Sequence, residues 1–195
     1  DVEVRALDHS VHSGMWGGAL PDAAMALSKL LAGLVDEAGE IAIPGIADRV
    51  RGPNPGQQRD LDRLPVNAED FRRQAGIAET VELMGRGQNP FELTWYRPAL
   101  TVNAIQASSR KDARNILCDT AWSRVSIRIV PDLDPETTFK PLRDHLEATA
   151  PWGVELTVRQ SGCARRWDTR TRPPARPAAF PAPEQGHRVR RTAAR

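Results

Sequence analysis

Residues 122 to 158 change their hydrophobic period twice, and few folds accommodate that. WSRVSIRIV (122–130) alternates, with Val125, Ile127 and Ile129 on one side and Ser126 and Arg128 on the other, the period of a half-buried strand. DPETTFKPLRDHLEA then brings Phe139, Leu142 and Leu146 inward behind an N-cap at Asp134 and a proline at the first helical position. Pro141 has no amide to bond back to residue 137, so a kink or a late start is expected there. VELTVR (154–159) returns to strand alternation through Val154, Leu156 and Val158.

The first half of the chain repeats the theme. VEVRAL (2–7) alternates, and after Asp22, an N-cap, Leu27, Leu30, Leu31, Leu34 and Val35 recur at helical spacing until Gly39. ALTVNAI (99–105) is another strand. Between them, residues 40–97 mix turn signals with short polar helical pieces, such as the one after Asn67, and read as an irregular insertion. The order β-α-(insertion)-β-β-α-β predicts an α+β, ferredoxin-like two-layer sandwich: a four-stranded antiparallel sheet with two helices on one face. Such a sheet has open edges, and an open edge recruits another strand, so dimerisation is a natural use.

Composition matters at the C-terminal end. The formal net charge of +2 hides two unlike pieces, because residues 161–195 hold nine arginines against only Asp168 and Glu184. That segment is rich in arginine, proline and alanine and poor in branched aliphatics, so it cannot bury enough surface to offset its ordering entropy and is expected to be disordered. The domain division is therefore 1–160 and a 161–195 tail. Two origins remain open for the tail: a frame-shifted translation of a GC-rich gene, or a genuine basic extension that binds acidic partners. Cys118 and Cys163 form no CxxC and no Cys/His pair at ligand spacing, which favours a reducing, cytoplasmic setting. No apolar run approaches the roughly 20 residues of a membrane span, and DVEVRAL reads as strand rather than signal peptide.

Few residues offer chemistry. The chain has no HxD, HExxH, GxSxG, Walker or dinucleotide fingerprint. Asp60, Asp62, Glu69 and Asp70 read as a solvated helical surface, and Asp132, Asp134 and Glu136 as a helix N-terminus. His12 differs: in HSGMWGG (12–18) it follows a strand and enters a glycine-rich loop that can bring backbone close to a ligand. A neutral imidazole there can donate to a developing oxyanion, and a simple turn cap is the plainer role. Arg128 projects from the open face, where it can grip a carboxylate or merely pair across strands.

The stretches DHSVHSGMWGGALPDAAMALSKLLAGLVDEAGEIAIPG, FELTWYRPALTVNAI, RNIL, VSIRIVPDLDP and LEATAPWGVELTV together resemble, in order, the lid or dimerisation domain of the zinc metallopeptidases that include carnosinase-type dipeptidases, acetylornithine deacetylase and succinyl-diaminopimelate desuccinylase. The resemblance covers residues 1 to about 160. It implies a lid inserted into a separate catalytic domain and a homodimer formed through the lid sheets. It also implies that His12 reaches the partner's active site to polarise the scissile carbonyl, that Arg128 binds the substrate's carboxylate end, and that Asn115 lies near it. The substrates implied are dipeptides or N-acyl amino acids, with TWYRP leaning toward dipeptidases. Two zinc ions serve the intact family enzyme. Its ligand segments and its glutamate base have no counterpart in this chain, so no metal is expected here and no hydrolysis by this chain alone.

Two readings from other classes compete. A nucleic-acid-binding module would need aromatic residues on its central strands, which ALTVNAI and VSIRIV lack; its tail alone would bind weakly and salt-sensitively. A free-standing ferredoxin-like oligomerisation module is the other. Neither a nucleic-acid nor a membrane partner is expected.

Overall fold

In the computed structural model, which describes residues 1–65, 67–111 and 113–163, the alternation of the first residues becomes β1 (Val2–Arg5), with both valines buried and Glu3 and Arg5 exposed. A two-residue strand, β2 (Val11–His12), and one helical turn, α1 (Ser13–Trp16), follow. Helix α2 (Ala23–Ala32) starts at Asp22, whose carboxylate accepts from the Met25 amide at 2.8 Å. Residues 40–97 carry α3 (Pro55–Asp62), α4 (Ala68–Ala75) and α5 (Pro90–Tyr96), each opened by an asparagine cap, at Asn54, Asn67 and Asn89. The chain continues through β3 (Ala99–Gln106), β4 (Ile116–Leu117), β5 (Thr120–Arg128), α6 (Pro135–Thr149) and β6 (Glu155–Val158). The predicted basic tail lies, from residue 164 onward, outside the described residues.

Four strands form one sheet in the order β3-β5-β1-β6, every neighbouring pair antiparallel. This is the expected α+β ferredoxin-like arrangement. Register decides which side is wet: Val2 sits between Ser123 and Val158, and Val4 between Ala121 and Leu156. That face joins Leu27, Leu30 and Leu31 of α2 and Leu142 and Leu146 of α6 in one apolar cluster. Ser123, buried there, donates its hydroxyl to Ala104 O at 2.9 Å and so leaves no orphaned polar group.

Three boundaries differ from expectation. Helix α2 stops at Gly33 rather than Gly39, although the leucine spacing runs on. A local turn outcompetes the helix because the Asp36 carboxylate accepts from the amides of Ala38 and Glu40, both at 2.9 Å, and Val35 bridges to Ile41. Leu34 reaches the core from that turn with no exposed surface. Helix α6 does not start late: it begins at Pro135 and passes through Pro141. The missing amide costs about 3 kcal/mol, and burial of Leu142 and Leu146, at about 1.5–3 kcal/mol each, offsets it. Within the insertion, IAIPGI is core rather than loop, since Ile41, Ile43 and Ile46 are all buried.

Strand β3 is the exception to the covered face. It lies at the end of the sheet, Thr101–Gln106 are all exposed, and Ile105 keeps 63% of its surface. A break in register between Val102 and Ala104 marks a bulge there.

Two expectations follow for stability. Leu34→Ala should destabilise the domain by about 2–5 kcal/mol, read from urea unfolding, because a fully buried leucine leaves a cavity; a change below about 0.5 kcal/mol would contradict the packing described. The Asp134 carboxyl is held below the usual carboxylate range, chiefly by the Thr137 amide and hydroxyl. Its lowered value means that the cap contributes fully above about pH 4 and is lost as pH falls through the folded-state value. The stability gap between wild type and Asp134→Ala should therefore close on acidification, and a gap that widens would contradict the sign.

Candidate functional site

His12 does not sit in an open glycine loop. Strand β2 pairs with β4, placing His12 opposite Ile116, and the Ser13 amide donates to Asn115 O at 2.9 Å. This short ribbon holds the HSG segment as it turns into α1. His12 is the N-cap of that turn, with extended backbone (φ −69°, ψ 122°), and its Nδ1 accepts from the Gly14 amide at 3.1 Å. The ring is exposed, as are Met15 and Trp16 beside it. Gly17 closes the turn onto Ser13 O, and Gly18 at φ +84° redirects the chain toward α2.

Two carboxylates secure the platform. Asp22 caps α2 through Oδ1 and accepts the Cys118 amide through Oδ2 at 2.8 Å, while the Ala23 amide donates to Cys118 O at 3.1 Å. Asp119 accepts the Ser10 hydroxyl at 2.6 Å, and its backbone oxygen accepts from Ala6 at 2.8 Å. The Ser10 hydrogen bond is the main reason the Asp119 carboxyl lies below its ordinary value, with backbone amides and Arg5 adding to it. Burial pushes the Cys118 thiol up, and the nearby Asp22 and Asp119 charges push the same way. That thiol is therefore poorly suited to nucleophilic chemistry.

Arg128 occupies the opposite end of the sheet. It is the last residue of β5, opposite Ala99, and is exposed on the face away from the helices. From Thr120 to Arg128 a strand extends about 26 Å at ~3.3 Å per residue, and the ribbon that carries His12 leads into its Thr120 end, so His12 and Arg128 lie toward opposite ends of β5. Asn115 lies with His12, not with Arg128, within the chain. The Arg128 guanidinium donates to Leu93 O at 3.3 Å and Arg97 O at 3.4 Å, both at the C-terminal end of α5. The insertion also meets the β5–α6 connection at Arg51, whose amide and guanidinium bond the Asp132 carboxylate at 2.5 to 3.2 Å.

The α5 bracket on Arg128 was not legible from the insertion's poor periodicity. Asn89-Pro90, an N-cap followed by proline, is the signal for a helix there. A groove of about 710 Å³ lies beside Arg128, between Thr138, Phe139 and Leu142 of α6 and the β5 residues Val125 and Ile127. Among the described residues no three His, Cys, Asp or Glu side chains converge on a point that could hold a metal ion. The donor set for a zinc centre is thus not provided by them. No helix among them is long and apolar enough to cross a membrane.

Comparison with known proteins gives the arrangement a family. The peptidase dimerisation domain matches residues 1–154. The cysteinylglycine-S-conjugate dipeptidase of Corynebacterium striatum is 31% identical over 174 residues, covering 89% of this chain and 36% of the relative. The Cys-Gly metallodipeptidase of Schizosaccharomyces pombe is 26% identical over 147 residues, 75% of this chain and 30% of the relative. Human carnosine dipeptidase 1 has a similar fold, with a TM-score of 0.71 at 24% identity over 82% of this chain and 34% of that one. The chain spans about a third of the length of the curated relatives it matches. With the family match over most of its length and the strand order just described, this chain belongs to the peptidase dimerisation domain family.

Proposed function

We propose that the chain is the lid and dimerisation module of a dinuclear zinc dipeptidase or related amidohydrolase, pairing with a second copy through β3 and lending His12 and Asn115 to the partner's active site. The observation that supports this most is the placement of His12 with Asn115 at one end of β5 and of Arg128 at the other. Strand β3 is an exposed edge bearing Val102 and Ile105, and an unpaired edge of this kind favours another strand. Antiparallel pairing of β3 with its copy about a two-fold axis runs the two sheets in opposite directions. The His12 end of one copy then lies alongside the Arg128 end of the other. One substrate between them would meet a carbonyl-polarising donor from one chain and a carboxylate-binding guanidinium from the other.

In this reading His12 donates to the oxyanion that forms as the peptide bond is attacked, an interaction worth about 3–4 kcal/mol where one side chain supplies it. Arg128, already oriented by the α5 carbonyls, binds the terminal carboxylate with the planar fork suited to it. The zinc ions would supply an activated water. Their ligands would come from segments of the intact enzyme beyond the residues described. The two free cysteines suit a reducing compartment, and we place the protein in the cytoplasm.

Light scattering at tens of micromolar should give twice the 21.5 kDa chain mass, and Ile105→Asp should return it to one chain; a monomeric wild type would overturn the pairing. In the intact enzyme, His12→Ala should lose mainly turnover, by about 10²–10³, and Arg128→Ala mainly apparent affinity for substrates with a free carboxylate. Mixing the two variants should restore about a quarter of wild-type activity, because half of randomly mixed dimers carry one complete site. No recovery on mixing would count against the shared site.

A further inference from the structure

We infer that Gly14 is the positioning residue for His12, selecting through its backbone amide the imidazole tautomer that carries its proton on Nε2, and through its missing side chain the ring orientation that presents it. This rests on the reading of His12 as a hydrogen-bond donor to substrate and adds how the donor is prepared. The Gly14 N–H donates to His12 Nδ1 at 3.1 Å. A nitrogen that accepts must hold a lone pair, so the single proton of a neutral imidazole goes to the other nitrogen. Nε2–H is then the ring's outward donor, available before substrate arrives and without a reorganisation step.

Steric space points to the same residue independently. A Cβ at Gly14 would lie 2.9 Å from His12 Cε1 and 3.1 Å from Nδ1, and among the described residues, the adjoining backbone aside, those ring atoms are what it would meet. Any side chain at position 14 therefore competes with the ring for one volume. Because the ring is the movable partner and is exposed, it yields by rotating about its own χ angles, leaving the fold intact and the donor misdirected. The backbone at Gly14 is not in the left-handed region, so conformational freedom is not what this glycine supplies. Gly18 in the same segment is the contrast: its φ is +84° and a Cβ there would meet nothing within 4 Å. One glycine serves the side chain and the other serves the turn.

The test is imidazole ¹⁵N NMR on the chain itself above the titration range of its histidines, with His12 assigned by its absence in His12→Ala. Wild type should show His12 as one tautomer, Nδ1 unprotonated and Nε2 protonated, with the two nitrogen resonances well separated. Gly14→Ala should retain the amide fingerprint of the fold and narrow that separation, the two shifts moving toward the averaged values of a freely exchanging imidazole. Gly18→Ala should lower stability through its positive φ and leave the His12 pattern unchanged, which a general loosening of the segment would not do. A wild-type Nδ1–H tautomer, or a Gly14→Ala spectrum matching wild type, would overturn the inference. In the intact enzyme, Gly14→Ala should approach the turnover loss of His12→Ala with little change in KM. If His12→Ala itself leaves turnover unchanged, the donor reading fails while the tautomer result stands on its own.

Discussion

The Asp22 carboxylate joins two parts of the chain that lie 96 residues apart in sequence, and the candidate site depends on it. One oxygen accepts the Met25 amide and starts α2; the other accepts the Cys118 amide and holds β4 against that helix. A carboxylate that accepts two amide hydrogens makes charge-assisted bonds in both directions, each stronger than its neutral counterpart. Strand β4 in turn carries β2 and His12. The position of the histidine is thus referred to the hydrophobic core through α2, whose leucines anchor it, rather than through the exposed ribbon itself.

Rigidity and exposure are divided accordingly. The sheet face under α2 and α6 is filled by aliphatic side chains, and the face bearing Arg124 and Arg128 is left polar. Arg124 is committed to the Asp1 carboxylate, at 2.8 and 3.1 Å, and lies 5.4 Å from the Trp122 ring. Arg128, on the same face two pleats further on, is held, among the described residues, by the carbonyl oxygens of Leu93 and Arg97. Carbonyls orient a guanidinium without neutralising it, which leaves its charge available to an anion. The insertion that sequence periodicity left without a role thereby acquires one: α5 ends where Arg128 needs acceptors.

Much of this was legible in the residues. The strand order followed from four alternating segments and two helical ones, and each helix began where an Asp cap was placed, at Asp22 and Asp134. Helix ends were less legible, because Leu34 is equally at home in a helix and in the Asp36 turn that wins. Of the three asparagine-capped helices of the insertion, α3 (PGQQRDLD) and α4 (AEDFRRQA) are mostly polar and α5 (PFELTWY) is only seven residues long, so only the polar helical piece after Asn67 stood out. HSGMWGG read as an open loop because its glycines suggest freedom; pairing with β4, which is distant in sequence, removes that freedom.

What the sequence determined by itself was the inventory: a period-2 and period-3.6 pattern that has few ways to bury its apolar face, and a motif set that resembles one family of domains. What only the tertiary structure decided was which candidates can act together. His12 and Asn115 are far apart in sequence and meet because two short strands pair; Arg128, close to Asn115 in sequence, is carried to the other end of the sheet because β5 is extended. A periodicity reports which face a residue occupies, since that depends on neighbours along the chain. Which end it occupies, and beside whom, depends on non-local hydrogen bonds that no local pattern encodes.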